Sequence, residues 1–199
     1  MARREDSTDP RAVRTRELLI SACTELLREN RSEALSVSRM VKAAGVSRQV
    51  FYEHFESRDA LLYAVGNAVI VEPMERYAQR VRVRYGDDNN IKQLVAEVAP
   101  DRDVVLNILR GPADAAIFAH VREVLLQPTI DLLNGSLAVS GRDVPEDHKR
   151  WTAEFLIAGI LSSLVEALRA AQGAEETARR INAVTSTLDA MRLSGARGE

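Results

Sequence analysis

Ser36-Val-Ser-Arg-Met-Val-Lys-Ala-Ala-Gly45-Val-Ser-Arg-Gln-Val-Phe-Tyr-Glu-His-Phe55 is the stretch from which the rest of the chain is best read. Ser36 is a natural N-cap for a helix over Val37 to Ala44. Leu35 before it and Met40 within it stand at the N′ and N4 positions, the spacing of a hydrophobic staple. Gly45 follows where a left-handed residue is needed to end a helix. Ser47 then caps a second helix, with Val46 and Phe51 repeating the staple. Two staples flanking one glycine mark two short helices joined by a compact turn. In the second of them Phe51 and Phe55, four residues apart, form an inward face. Arg48, Gln49, Tyr52 and Glu53 lie outward, with Val50 near the N-terminal end.

Working outward, Leu18, Leu19, Ala22, Leu26 and Leu27 recur at helical spacing, which predicts an amphipathic helix from Pro10 to about Glu29. Asp9 suits its cap and Pro10 its first turn. Ser57 caps a further helix running from Arg58 towards Ile70, and Pro73 breaks or kinks it before Met74 to Arg84 resumes. The first three helices form a unit of about 50 residues, too small to be very stable alone. Beyond it, Gly86 to Asn90 reads as the clearest loop, and Ile91 to Val98 as a short helix. Another helix runs from Pro100-Asp101 to about Leu109, and Gly111-Pro112 is a sharp break. The helix that Pro112 opens should be kinked or divided at Pro128, and Gly135 to Val144 reads as loop. Two long helices close the chain, Pro145 to about Ala171 and Glu175 to about Leu193, separated at Gly173. Ser194 to Glu199 should fray. The expected fold is all-α with about nine helices and no strand or repeat. Its expected domains are an N-terminal helix-turn-helix domain over residues 1–56 and a larger helical domain over 57–199.

Composition limits what such a chain does. It has 199 residues, 46% hydrophobic and 28% charged, with a formal net charge of -2. Residues 1–60 hold 11 Lys and Arg against 10 Asp and Glu, so any affinity for nucleic acid comes from a local surface and not from bulk charge. Arg3, Arg4, Arg11, Arg14 and Arg16 supply a basic arm. The single cysteine, Cys23, cannot form an internal disulfide, fits a reducing cytoplasm and sits on an apolar stripe as a buried thiol. No signal peptide is read in the charged N-terminus, and no uninterrupted apolar run reaches the roughly 18 residues that cross a bilayer. No membrane partner is expected. There is no Gly-rich phosphate loop and no Gly-x-Ser-x-Gly, and His54, His120 and His148 are too dispersed for a metal cluster. Neither an enzyme, nor a cofactor, nor a metal is expected.

The outward groups of the second short helix suit DNA. A recognition helix presents its N-terminal residues to base edges in the major groove. Arg48 can pair in bidentate fashion with guanine, Gln49 with adenine, and Val50 can meet a thymine methyl. Tyr52 and His54 suit phosphate oxygens, as do Ser47 and the free N–H groups of the helix start. Arg39, Lys42 and Arg58 extend that clamp. One arginine on a helix is ordinarily a solvated side chain. The case rests on the conjunction of helix, glycine turn, helix, inward aromatics and outward hydrogen-bonding groups.

At this point a resemblance enters. Leu18 to Leu62 resembles the N-terminal domain of TetR-family transcriptional regulators. The words that carry it are Ala43-Ala44-Gly45-Val46-Ser47, Phe51-Tyr52-Glu53-His54-Phe55 and Ser57-Arg58-Asp59-Ala60-Leu61. The resemblance implies an all-helical homodimer that binds a near-palindromic operator in double-stranded DNA. It implies a C-terminal domain that dimerises and holds a small-molecule effector, the protein being a repressor released by that effector. It places Ser47, Arg48, Gln49, Tyr52 and His54 at DNA-contact positions, Arg58 at a phosphate position, and Ser36 and Ser38 at the start of the preceding helix. The family often carries a Thr pair there, whereas Val37 cannot donate a side-chain hydrogen bond.

For the C-terminal part the resemblance implies a four-helix bundle across a two-fold axis, two helices from each subunit. Phe155, Gly159, Ser162, Leu164, Ile181, Val184 and Leu188 are the expected interface residues, and Ala158 and Ser163 add to the small residues that permit close approach. Tyr63, Tyr77, Asn107, Phe118, Trp151 and Phe155 are the expected lining of an effector pocket. Two competing readings stay open on the sequence. One is an architectural or cell-division DNA-binding protein on the same scaffold without an effector. The other is a helical protein-interaction module or enzyme.

Overall fold

The computed structural model describes residues 9–80, 88–141 and 143–195, with the side chains of 80, 88–90, 136, 139, 140 and 185–195 outside that description. Among the described residues there is no strand. Helix α1 spans Pro10–Glu29, and the Asp9 carboxylate accepts from the Arg11 N–H to cap it. The helix-turn-helix is α2, Val37–Ala44, and α3, Arg48–His54. Helix α4, Arg58–Gly66, is capped by the Ser57 hydroxyl, which accepts from the Ala60 N–H.

Pro73 neither breaks nor ends this helix. A π-helical turn over Asn67–Val71 leads straight into α5, Glu72–Arg80. In an α-helix the ring of Pro73 would meet the Val69 carbonyl. One widened turn, in which the Glu72 N–H reaches back to the Asn67 carbonyl, relieves that collision.

Later elements depart from the sequence reading in three places. Helix α6 covers Asp88–Val98, so Asp88 to Asn90 form a helical turn and not a loop. They extend a helix driven by the buried Ile91, Leu94, Val95 and Val98. After α7, Arg102–Ile108, the long helix α8 runs from Asp114 to Ser140 with Pro128 inside it. The proline therefore does not divide α8. The Thr129 hydroxyl donates to the Leu125 carbonyl at 2.8 Å across that turn, and buried Val121 and Leu125 hold the turns before it. Gly135 is also helical; the helix stops before Gly141, whose φ is 64°. Helices α9, Glu146–Arg169, and α10, Ala174–Gly195, close the chain. Residues 81–84, Gly86-Asp87 and 196–199 lie outside the described residues.

The chain forms two compact units. The first gathers residues up to Glu72 with Asp101–His120, so the unit that holds the helix-turn-helix extends beyond residues 1–56. Helix α1 is its axis, packing on α2, α4 and α7. Leu19, Cys23, Leu27, Leu61, Leu62 and Ile108 are fully buried there. Arg28 pairs with Asp101 at 2.9 Å. A Cβ on Gly66 would stand 2.6 Å from Ile117 Cδ1, and one on Gly111 would stand 2.1 Å from Ser32 Oγ, so both glycines serve close packing. The second unit gathers Pro73–Pro100 and residues from Val121 onward. Helix α10 lies along α6 and against α9, and Lys92 pairs with Glu175 at 2.8 Å.

Helix α9 ends on a left-handed residue that is not a glycine. Ala171 has φ 51°, and the Gln172 N–H reaches the Ala167 carbonyl at 2.9 Å. Gly173 lies between α9 and α10, as expected, although the left-handed cap itself falls two residues earlier. Left-handed backbone costs an L-residue about 1–2 kcal/mol. Ala171→Gly is therefore expected to stabilise the protein by about 1 kcal/mol, read as a raised midpoint in thermal unfolding followed by circular dichroism.

Candidate nucleic-acid interface

The turn between α2 and α3 is built from backbone bonds that its sequence dictates. Gly45 has φ 66°, its N–H reaches the Lys42 carbonyl, and the Val46 N–H reaches the Val41 carbonyl at 3.0 Å. That pair is a Schellman motif, closing α2 within two residues. The Ser36 hydroxyl accepts from the Arg39 N–H at 3.3 Å, and the Ser47 hydroxyl from the Val50 N–H at 3.2 Å. Both caps stand where the sequence places them. Phe51 and Phe55 are 0% and 2% exposed, their centroids 6.0 Å apart. This pins one side of α3 and leaves the other to solvent.

On the free side Arg48 and Gln49 are exposed and Tyr52 is 49% exposed, its ring edge-on to Phe51 at 5.2 Å. Ser36, Ser38 and Ser47 are exposed, as are Arg39 and Lys42 on α2. Val50, Glu53 and Arg58 are half-buried. Arg39 gives one N–H to Asn30 Oδ1 at 2.9 Å, and Arg58 pairs with Asp59 at 2.9 Å. His54 is a correction. It is 1% exposed, because position 54 falls three residues after Phe51 and shares its inward face, so it is not a phosphate contact. Arg11 and Arg14 are exposed on α1, whereas Arg16 is half-buried against α3, a role the sequence reading missed; Arg3 and Arg4 lie outside the described residues.

The six expected pocket residues divide between the two units, Tyr63, Asn107 and Phe118 in the first and Tyr77, Trp151 and Phe155 in the second. Asn107 donates to the Leu27 carbonyl at 2.9 Å and so ties α7 to α1. The Tyr63 hydroxyl meets His120 Nδ1 at 3.1 Å. Phe118 is half-buried. Tyr77 is buried, which pushes its phenol up to about 12 and keeps it neutral. Trp151 and Phe155 are 59% and 70% exposed, on the outside of α9, with Trp151 stacked on His148. A recess of about 540 Å³ between α9 and α10, its open mouth included, is lined by other residues, among them Ser162, Ser163, Thr177 and Arg180.

The expected interface residues divide. Phe155, Gly159, Ser162 and Val184 are exposed, and with Trp151, Ala158 and Ser163 they make a stripe of apolar and small groups. Leu164 and Ile181 are 5% and 7% exposed and already serve the unit's own core, Leu164 on the side of α9 away from Phe155. The side chain of Leu188 lies outside the description. By length and composition α9 would suffice to cross a membrane, with a window mean hydropathy of 1.4. That surplus reflects two apolar faces on one helix, one buried and one not. Among the described residues no three His, Cys, Asp or Glu side chains are grouped to hold a metal ion.

Comparison with known proteins agrees with this geometry. Residues 19–65 match the model of the bacterial regulatory proteins of the tetR family. A solved protein of Syntrophomonas wolfei described as a TetR-family transcriptional regulator is 14% identical, with TM-score 0.64 over 88% of this chain and 94% of its own. A Pseudomonas aeruginosa protein described as a transcriptional regulator is 16% identical, with TM-score 0.62 over 94% of this chain and 95% of its own. The dihydroxyacetone kinase operon activator DhaS is 17% identical, with TM-score 0.56 over 90% of this chain and 97% of its own. These likenesses carry the fold alone. No curated protein matches. Residues 19–65 thus carry a helix-turn-helix domain of the kind described for bacterial regulatory proteins of the tetR family, within an all-helical fold shared with solved transcriptional regulators.

Proposed function

We propose that this protein is a cytoplasmic homodimeric repressor that binds a near-palindromic operator and is released from it by a small-molecule effector. The observation that carries the DNA reading is the two-sided α3. One side is anchored by Phe51 and Phe55, and the other offers Arg48, Gln49 and Tyr52 to solvent at the end of a rigid turn. Arg48, Gln49 and Val50 are assigned to base edges. Ser36, Ser38, Ser47, Tyr52 and Arg58 are assigned to the phosphate backbone with the helix N-termini. Arg39 joins them if DNA displaces its Asn30 contact. A symmetric pair of such heads matches two major grooves one DNA turn apart. The stripe on α9 with Val184 is the face that supports a symmetric dimer. Effector release follows the population-shift rule: the ligand must bind the non-binding arrangement more tightly.

Selection from random double-stranded DNA, followed by fluorescence anisotropy at several salt concentrations, tests the reading. Tyr52→Ala is expected to weaken binding across sequences. Arg48→Ala is expected to cost about 1–3 kcal/mol and to relax preference at one base pair. Equal binding by wild type and both variants removes α3 from the interface. Enrichment of no sequence favours an architectural role. A screen of small molecules on the selected complex then tests release, and DNA occupancy untouched by any metabolite class would count against the effector.

A further inference from the structure

We infer that Arg16, on α1, is a positioning residue for the recognition helix, setting the angle at which α3 meets DNA. This inference rests on the DNA-binding reading above. Helix α3 has only seven residues, from Arg48 to His54, and so few residues do not hold a helix unaided. Its N-terminal end is fixed by the Ser47 cap and the Gly45 turn. Its C-terminal end has unsatisfied carbonyls, as every helix does. One of them, on Phe51, is taken by the Phe55 N–H at 2.9 Å. Another, on His54, accepts from the Arg16 guanidinium at 3.4 Å. The same guanidinium lies over the Phe55 ring, 4.4 Å from its centroid.

Arg16 thus grips α3 by two different groups at once, the His54 carbonyl and the face of the Phe55 ring. The contact is local to one compact unit and joins residues 38 apart in sequence. Positive charge at a helix C-terminus is favourable in itself. The geometry asks for more than charge. A lysine carries an equal charge but has no planar fork to stack on the ring while donating sideways. Loss of the grip leaves the C-terminal end of α3 held by burial of Phe51 and Phe55 alone. Arg48, Gln49 and Tyr52 would then sweep a range of positions relative to base edges, and a bidentate contact tolerates little of that.

The test uses full-length protein and the sequence selected by the wild type. Specific and non-specific affinities, and their salt slopes, are measured for Arg16→Lys, Arg16→Met and Phe55→Leu. Arg16→Lys is expected to lower specific affinity about tenfold or more, leaving non-specific affinity and salt slope unchanged. Phe55→Leu is expected to give a similar loss, and the double variant with Arg16→Lys little more than either alone. Three results overturn the inference. Arg16→Lys could match wild type. Arg16→Met could lower both affinities and reduce the salt slope by about one while Lys restores them, the signature of a phosphate contact. The loss could vanish at a low temperature where circular dichroism shows each variant fully folded, the signature of stability alone. If the wild type selects no sequence, the DNA-binding reading has failed first and takes this inference with it.

Discussion

Phe155→Glu is expected to convert the proposed dimer into a monomer and to lower affinity for a two-half-site operator by about 10²- to 10⁴-fold, the loss that follows when two linked heads become independent. The substitution is informative because Phe155 is 70% exposed in the single chain, so the subunit's own core does not depend on it. Gly159 lies four residues further along α9, and Ser162 and Ser163 beyond it, leaving room for a second helix at close range. A two-fold axis crossing near Gly159 would set Phe155 of one copy beside Ser162 and Ser163 of the other, and back again. A carboxylate buried there twice, facing no cation supplied by that stripe, carries a desolvation cost that the dimer cannot offset. Light scattering coupled to size exclusion reads the oligomer, and anisotropy on one-site and two-site DNA reads the affinity. Unchanged elution, with unchanged two-site affinity, would remove this face from the interface.

Phe51→Ala is expected to cost about 3–5 kcal/mol, enough to unfold most of the helix-turn-helix unit at physiological temperature. Phe51 is 0% exposed, sits edge-on to Tyr52 and shares its face with Phe55, so no water or side chain is poised to fill the space it leaves. The effect differs from that of Arg48→Ala, which leaves the fold alone. Urea unfolding with far-UV circular dichroism separates the two. A loss below about 1 kcal/mol would mean that α3 is held chiefly by its ends.

The N-terminal half was legible because its instructions are local. Ser36, Gly45, Ser47 and Ser57 act on backbone groups two or three residues away, and each does in the structure what its position implies. The spacing of Phe51 and Phe55 likewise named the inward face. His54 was misplaced through neglect of that same spacing, since i+3 is as inward as i+4. Further along, Pro128 and Gly135 looked like breaks because their penalties are local as well, yet α8 runs through both, its buried Val121 and Leu125 holding the turns before them. The Pro73 collision was absorbed by one π-helical turn, which no propensity announces. Pocket lining was the least legible part. Tyr63, Asn107 and Tyr77 are ordinary apolar or polar residues until long-range contacts decide whether they line, bridge or fill, and Trp151 and Phe155 turned outward.

Cys23 carries a practical consequence for every experiment above. It is 0% exposed, and burial pushes its thiol up to about 12. At pH 7.5 the thiol stays protonated, and the thiolate is the form that maleimides attack. In labelling chemistry the native chain therefore behaves as though it were cysteine-free. A single cysteine introduced at exposed Glu33 is expected to take up a fluorophore or spin label at one site, with Cys23 left in place. Separation between the two reading heads then becomes a distance that can be read directly, with and without a candidate effector.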